Sequence, residues 1–553
     1  MKTVHRNGNF MENRQIHWQN SRQYTQEQLE VAGQVLDEII AGQPTLKSIR
    51  SHPLSQGGYI AKHVLVHVYR QRVDDELMDE DPILLARIRM KPVRSLSGVS
   101  TVTVLTEPYT CPGNCLFCPD EQGLPKSYLK EEPGAARAYQ NQFDPYLQVR
   151  SRLDSYLAIG HPINKIELLI LGGSWSAYPA DYREWFIRRC FDAMNGQESA
   201  TLEQAHLINE SSDCRNVGLV VETRPDMITP KEIAFMRDLG VTKVQMGAQS
   251  LDDEILKKNC RGHSVEDTLN AVSLLRAAGF KVVLHWMPNL LGATVDTDKQ
   301  DFQKLWNDGF SPDEIKIYPT QLVKEAPLYK IWEQGSYSPY TTEQLIRLIA
   351  DIKPGIPEYC RVNRIVRDIP ADYIVAGSRR SSLRQDVHHE LTRRGQRCRC
   401  IRCREIKGKA IEPEALLFND LVYETVDSQE HFMSFSTEDD RLAGYLRLSF
   451  PQSSSSLNRS QDRDQLQHHI PELKDAALIR EIHVYGQSLE VGADLPGAAQ
   501  HIGLGSSLLE KAETLSREVG FKKLAVIAAV GTRLYYQDRG FQRENLYMSR
   551  KIA

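Results

Sequence analysis

From Lys165 to Gln321 the chain repeats one unit: an apolar run, a loop, then an amphipathic stretch. The runs are KIELLILGG, NVGLVVETRPD, KVQMGAQS, KVVLHWMPNLLG and EIKIYPTQ, and between them lie YREWFIRRCFDAM, KEIAFMRDLG and SVEDTLNAVSLLRAAG. Short runs that are apolar on both faces, joined by helices, form a parallel sheet covered on the outside. The rhythm therefore predicts an α/β barrel or partial barrel whose working residues follow the strand ends.

An earlier apolar run, STVTVLTEPYT, leads into the tightest constraint on chemistry. Cys111, Cys115 and Cys118 follow it at C-x3-C-x2-C spacing. Structural zinc takes four closed ligands, usually from paired C-x2-C units. Three thiolates on one loop instead suit a cubane iron–sulfur cluster with one iron left open. A second triplet, Cys398, Cys400 and Cys403, has C-x-C-x2-C spacing. That spacing is unusual for a second iron–sulfur cluster and suggests zinc, with His388, His389 or Cys360 as the fourth ligand. The other cysteines, Cys190, Cys214, Cys260 and Cys360, are scattered, so the ten do not form a disulfide framework. The chain has no run of about 18 apolar residues and no apolar leader at its polar N-terminus. The expectation is a cytoplasmic protein that does not span a membrane.

Net charge is −4, so only local patches can point to nucleic acid. Arg379, Arg380, Arg384, Arg393, Arg394, Arg397, Arg399, Arg402, Arg404, Lys407 and Lys409 surround the second triplet, against only Asp386, Glu390 and Glu405. Arginine in excess beside a rigid metal loop favours phosphate contact. A weaker basic zone is IRSHPLSQGGYIAKHVLVHVYRQR together with RIRMKPVRS.

At the N-terminus, TQEQLEVAGQVLDEIIAG reads as a helix with Leu29, Val31, Val35, Leu36, Ile39 and Ile40 on one face. YIAKHVLVHVYRQ reads as a second helix, and Val93 to Leu105 as strand. Near the C-terminus LLFNDLVYETV, FMSFSTED and LAGYLRLSF read as strands, followed by a polar loop, PQSSSSLNRSQDRDQLQHH. ALIREIHVYG, a helix from about Gly503, KLAVIAAV and YYQDRGF complete an α+β domain. QHIGLGSSLLEKAE has Q-x-x-G-x-G running into that helix, and backbone N–H groups there would favour a pyrophosphate. A full dinucleotide fingerprint fails, because Leu508 stands where its third glycine belongs.

The triplet in CLFCP, with the aromatic Phe117 inside it, resembles radical S-adenosylmethionine enzymes. The glycine turn resembles acetyl-CoA-dependent acetyltransferases. Together with VETRPD, KIYPT, RVNRIVRDIP, LIREIHVYG and YYQDRGF, the chain resembles, over roughly residues 60 to 553, the catalytic subunit of the Elongator complex and its stand-alone microbial relatives. Eukaryotic members have a longer gap before the second cysteine, and the N-terminal region diverges most.

The resemblance implies a radical SAM partial α/β barrel fused through a zinc-binding linker to an α+β, GNAT-like acyltransferase domain. The divisions drawn are an N-terminal helical, tRNA-binding region over 1–80, the barrel over 81–330, a connector with the zinc site over 331–410 and the acyltransferase-like domain over 411–553. It implies a [4Fe–4S] cluster on Cys111, Cys115 and Cys118. S-adenosylmethionine would lie near Gly172, Gly173, Glu222, Arg224 and Gln249. Acetyl-CoA would lie along the strand Glu481, Ile482, His483 and Val484 and in the turn Gln500, His501, Ile502, Gly503, Leu504, Gly505 and Ser506. Tyr535 or Tyr536 would stand near the thioester sulfur, and Lys316 and Tyr318 would line the uridine or acetyl pocket. The implied reaction places a carboxymethyl-type group on C5 of the wobble uridine in the anticodon stem-loop of tRNA. A homodimer or accessory subunits are compatible with it. Rival readings are a protein lysine acetyltransferase with Glu481 as base and a non-catalytic RNA-binding scaffold. A methylthio-transferring tRNA enzyme would leave acetyl-CoA without a role.

Overall fold

Thr25 starts the first helix, Gln26–Ile40, through a capping box in which its hydroxyl accepts from Gln28 N and the Gln28 side chain accepts from Thr25 N. The computed structural model describes residues 23–95, 97–406, 415–452, 457–485 and 503–552. Ala32, Val35, Leu36 and Ile39 of this helix are buried, while Ile40 is 51% exposed, so its apolar face is narrower than the sequence suggests. It packs against the helix Lys62–Asp74 in a small core of its own that includes Leu65 and Tyr69. Met90 N donates to Ile159 O and Arg89 Nε to Gly160 O, tying this unit to the barrel.

The barrel strands are β1 (Ser100–Leu105), β2 (Lys165–Leu171), β3 (Arg215–Thr223), β4 (Lys243–Gln249), β5 (Lys281–Trp286) and β6 (Glu314–Ile317). After β7 (Leu322–Val323) comes β8 (Arg361–Arg364), and β7 pairs with β9 (Ile374–Ala376) in a separate ribbon. The main sheet is parallel throughout, in the order β1-β2-β3-β4-β5-β6-β8. It is a partial barrel, with β1 and β8 at its two edges. Two details differ from the sequence reading. Pro92–Ser95 is a short 3-10 turn ahead of β1. The seventh strand falls in the stretch read as a connector, because RVNR carries little apolar character of its own.

The second sheet contains β10 (Leu417–Glu424), β11 (Ser428–Ser436), β12 (Leu442–Pro451), β13 (Ala476–Val484), β14 (Lys523–Val526), β15 (Gln542–Glu544) and β16 (Tyr547–Lys551). Its order is β10-β11-β12-β13-β14-β16-β15, antiparallel except for the β13–β14 pair. A parallel pair needs a crossover, and the helix Leu504–Val519 supplies it. The polar stretch read as a loop contains a helix, Leu457–His469, anchored by the buried Leu466. Its Arg459 reaches Glu266 at 3.2 Å, and its Arg463 donates to Asp427 O at 2.6 Å.

The second sheet docks at the N-terminal ends of the barrel strands, opposite the cysteine loop. Tyr547 OH donates to Ala278 O at 2.6 Å, just ahead of β5. Gly531 abuts Arg215 and Asn216 at the start of β3, where any Cβ would meet Arg215 Cβ and the Asn216 backbone. Asp313, fully buried ahead of β6, accepts from Arg480 at 2.6 and 2.9 Å and lies 3.3 Å from Arg447. Burial pushes the Asp313 carboxyl up, but Arg480 and Arg447 outweigh it and hold the carboxyl well below the usual range. Apolar residues of both sheets, among them Ile315, Phe432 and Leu478, share one core.

Candidate active site

At the C-terminal ends of the strands the cysteine loop is pinned by its backbone. Leu116 N donates to Asn259 O at 3.1 Å, and Leu328 N donates to Leu116 O at 2.8 Å. Arg261 donates to Cys115 Sγ at 3.6 Å and to Gly247 O at 2.8 Å. Arg224 grips Asp226 with two bonds of 2.9 Å and lies against Gly113, where a Cβ would collide with its guanidinium. Gly172 and Gly173 both have positive φ, 131° and 105°, but they differ in role. A Cβ on Gly172 would strike Thr106 Oγ1, whereas beside Gly173 only Lys126 O comes near, at 3.9 Å. Gly172 thus serves the packing of β1, and Gly173 is the one that faces open space.

Several polar atoms around this loop are buried and unpartnered among the described residues: Arg224 Nη1, Gln249 Oε1, Arg261 Nε and both ring nitrogens of His263. Gln249 ends β4 with φ 68°, a conformation a non-glycine residue adopts reluctantly. Orphaned donors and an acceptor at one mouth fit a ligand that carries both cationic and anionic groups. The thiols are also informative. A tetrahedral zinc with Zn–S bonds of ~2.3 Å holds its sulfurs about 3.8 Å apart. Among the described residues only Cys398, Cys400 and Cys403 bring three such ligand atoms within 4.8 Å of one another.

Below the mouth, alternate residues of β3 to β6 point into the barrel. Lys316 donates to Gln245 Oε1, which also lies 3.1 Å from His285 Nε2. Lys316 Nζ stands 5.7 Å from the Tyr318 ring centroid, and the Tyr318 and His285 rings meet edge to face at 5.4 Å. Burial, then the charge of Lys316, lowers the His285 pKa well below the ordinary value, so this imidazole is neutral. Burial raises the Glu222 carboxyl, against the opposing pull of Lys316, Arg367 and Arg261. Deeper still, Lys243 bridges Glu167 at 2.7 Å and Glu314 at 3.1 Å. Lys281 and Arg447 each reach Glu481 at 2.9 Å. Burial pushes Glu481 up, but those two cations hold its carboxyl well below the usual range. A carboxylate so firmly clamped is a poor proton acceptor, which weakens the protein lysine acetyltransferase reading.

In the second sheet β13 and β14 pair only from Ala476↔Lys523 to Ile479↔Val526. Arg480 is skipped in the β12–β13 register, a bulge, and beyond it β13 parts from β14. The slot so formed is flanked by Ile482 and Val484 and by the start of the helix Leu504–Val519, with Gly503 at φ 70°. A Cβ on Gly505 would lie 2.8 Å from Tyr535 OH. Both tyrosines line the cavity, but differently: Tyr536 is 5% exposed and packs on Phe541, while Tyr535 places its hydroxyl over Gly505, its pKa raised by burial. Leu504 is buried, and Ser506 lines the slot. Gln500, His501 and Ile502 lie outside the described residues. One cavity of ≈ 1330 Å³ runs from Phe117 and Tyr318 past Glu167 and Glu481 to Gly505 and Tyr535.

At the second triplet neither Cys360 nor any histidine belongs to the close set. His388 and His389 are exposed on the helix Leu383–Arg393. Much of the surrounding positive charge is matched by acids from elsewhere in the chain. Arg394 meets Asp351 at 2.6 Å, Arg399 and Arg404 meet Asp440 at 3.0 and 2.9 Å, and Arg404 meets Glu358 at 3.0 Å. Arg379, Arg380 and Arg402 have no ion pair among the described residues, and Lys407 and Lys409 lie outside them.

Sequence reasoning missed Gln245, His285, Lys243, Glu167 and Arg261. For the four on strands the available signal was a polar residue in a largely apolar run; Arg261 lies in a loop and carried none.

Comparisons with known proteins agree with this geometry. The Radical SAM superfamily matches residues 108–305, and the Radical_SAM C-terminal domain matches 312–393. A protein of Methanocaldococcus infernus named tRNA uridine(34) acetyltransferase is 40% identical over 491 residues, covering 86% of this chain and 89% of its own. Elongator complex protein 3 of Drosophila melanogaster is 33% identical, covering 95% and 96%. The solved structure of the Methanocaldococcus infernus Elp3 with an N-terminal deletion (1–46) superposes with a TM-score of 0.70 at 37% identity, covering 82% of this chain and 99% of that one.

Proposed function

Because the chain belongs to the radical SAM family formed by the tRNA uridine(34) acetyltransferases and Elongator complex protein 3, we propose that it uses acetyl-CoA to modify C5 of the wobble uridine of tRNA, leaving a carboxymethyl-type group. The observation that carries this reading is the single cavity joining the cysteine loop to the glycine turn of the second sheet. Two separate activities would need two pockets; one shared pocket suits a reaction in which an acyl group and a base meet. A [4Fe–4S] cluster on Cys111, Cys115 and Cys118 with S-adenosylmethionine, when bound, supplies hydrogen-atom abstraction from an unreactive methyl carbon.

The chain's own residues do the rest. Arg224, Gln249 and Gly173 hold the charged end of S-adenosylmethionine, using the atoms that otherwise lack partners. The parted edge of β13 from Glu481 to Val484 pairs with the pantetheine amides, and the turn at Gly503 and Gly505 takes the pyrophosphate. Tyr535 OH stands at the mouth of that slot and, being neutral, donates a proton to the departing thiolate. Lys316, kept in place by Gln245, and Tyr318 line the chamber where the base and acyl carbon meet. The second triplet holds zinc and stiffens the junction between β8 and β12, where Ile406 N donates to Leu442 O at 3.0 Å.

The deciding measurement is mass spectrometry of a wobble-uridine tRNA incubated anaerobically with reductant, S-adenosylmethionine and acetyl-CoA labelled in its methyl carbon. The label appears on the anticodon uridine. Label found only on protein lysines, or S-adenosylmethionine left uncleaved, would overturn the reading.

A further inference from the structure

The deeply buried Arg480 and Arg447 have acids: Arg480 has Asp313 and Glu430, and Arg447 has Asp313 and Glu481. Three arginines nearer the surface do not. Arg94 on the turn Pro92–Ser95, Arg137 on the helix Pro133–Gln140 and Arg152 on the helix Pro145–Ala158 converge on one wall of the cavity beside β1. None of the three pairs with a carboxylate among the described residues. Arg152 lies 4.1 Å over the Tyr156 ring, whose hydroxyl is fixed by the Thr101 carbonyl at 2.7 Å. Burial, then the neighbouring charges of Arg152 and Arg94, lowers the Arg137 pKa to about 10. His161 adds no positive charge, since burial and Arg89 lower its pKa to about 4.

Three like charges gathered in a half-buried wall without a counter-charge are unfavourable in the free protein. They become favourable once an anion enters, and guanidinium forks match phosphate oxygens best. The geometry points to Arg94, Arg137 and Arg152 as a subsite for a backbone phosphate of the RNA whose base enters the barrel. This rests on the wobble-uridine reading above.

The coenzyme is the less suitable anion. Its charge is confined to its nucleotide and pyrophosphate, which the turn at Gly503 and Gly505 would hold, and its pantetheine arm is neutral. The glycine turn lines the cavity from the second sheet, whereas the arginines line it beside β1. Phosphates spaced along a single-stranded loop can reach that edge while one nucleotide is turned inward.

The test uses the full-length protein, loaded with its cluster, and an anticodon stem-loop RNA. Binding is followed by fluorescence anisotropy at several salt concentrations, in parallel with acetyl-CoA binding. Arg137→Gln and Arg152→Gln each weaken RNA binding and flatten the slope of log K against log salt by about 0.7. Acetyl-CoA affinity stays unchanged, and Arg→Lys at the same positions restores part of the slope. Arg94→Gln, on an exposed turn, repeats the measurement without disturbing packing. Unchanged RNA affinity and slope in all three variants overturn the inference while leaving the wobble-uridine reading standing. Loss of acetyl-CoA binding instead reassigns the cluster to the coenzyme and also overturns it. If the wild-type protein binds no RNA at any salt, the inference and the reading fall together.

Discussion

The two cysteine triplets teach opposite lessons. Cys398, Cys400 and Cys403 form a tight set, and Arg394, Arg399 and Arg404 around it are matched by Asp351, Glu358 and Asp440. Cys111, Cys115 and Cys118 sit in a loop braced by backbone bonds, next to Arg224, Gln249, Arg261 and His263 atoms that have no partner among the described residues. A wall whose charges are paired with acids serves stability; a lining where several unpartnered polar atoms gather at one mouth suits a ligand. The sharpest break of this contrast is a pair of substitutions. Cys115→Ser abolishes the iron–sulfur absorbance and the tRNA product while zinc content stays at its wild-type level. Cys403→Ser does the reverse, with zinc lost by elemental analysis, the absorbance retained and the thermal midpoint lowered. Zinc lost from Cys115→Ser would show that the first triplet is a single-ion site.

The junction between the two sheets is likewise charge-paired, so its disruption affects stability before chemistry. Arg480→Met leaves Glu430 buried without its cation and Asp313 with Arg447 alone, and unfolding by denaturant becomes easier by ~3–5 kcal/mol. The sign of the pH dependence follows from Asp313, whose carboxyl is depressed in the folded state. Its contribution is complete above the unfolded value near about pH 4 and is lost as pH falls through the folded value. Wild-type stability therefore declines on the acid side, and Arg480→Met flattens that decline. An equally steep acid decline in the variant would mean that other carboxylates control it.

How much of this was legible beforehand depends on whether neighbours in sequence are neighbours in space. The strands β2 to β6 were legible because strands buried on both faces read as apolar runs. The first cysteine loop was legible because its three thiols share one short stretch of chain. Gln245 and His285 were hidden: one polar residue in an apolar run looks the same whether it lines a cavity or is satisfied in a core. The helix Leu457–His469 was hidden because only Leu466 anchors a stretch otherwise polar enough to pass for a loop. The basic run around Cys400 overstated its free charge, since Asp351, Glu358 and Asp440 reach it only through the fold. The continuous cavity was not legible at all, because it exists only once the second sheet caps the N-terminal ends of the barrel strands.

The same contrast separates two adjacent tyrosines. Tyr535 faces the slot over Gly505 and Tyr536 packs in the core against Phe541. Tyr535→Phe lowers turnover of acetyl-CoA by about 10²-fold, the low end for loss of a general acid, with little change in thermal midpoint. Tyr536→Phe does the opposite, leaving turnover near wild type with a modest loss of stability. Steady-state kinetics and thermal melting on both variants check the assignment, and equal losses of turnover would dissolve the distinction.

The smallest effect tests the satisfied triplet itself. His388 and His389 were reasonable fourth zinc ligands by sequence, ten and nine positions ahead of Cys398. Both project from an exposed stretch of the helix Leu383–Arg393, and neither joins the set of ligand atoms within 4.8 Å. Zinc held by three thiolates at this junction would complete its tetrahedron with a water or another small ligand rather than with either ring. His388→Ala and His389→Ala accordingly leave zinc stoichiometry unchanged and shift stability by no more than about 0.5 kcal/mol, the ordinary range for a surface substitution. A drop in zinc for either one would mean that the helix closes onto the metal when it binds, and the triplet would then be completed by a move of Leu383–Arg393 rather than already assembled.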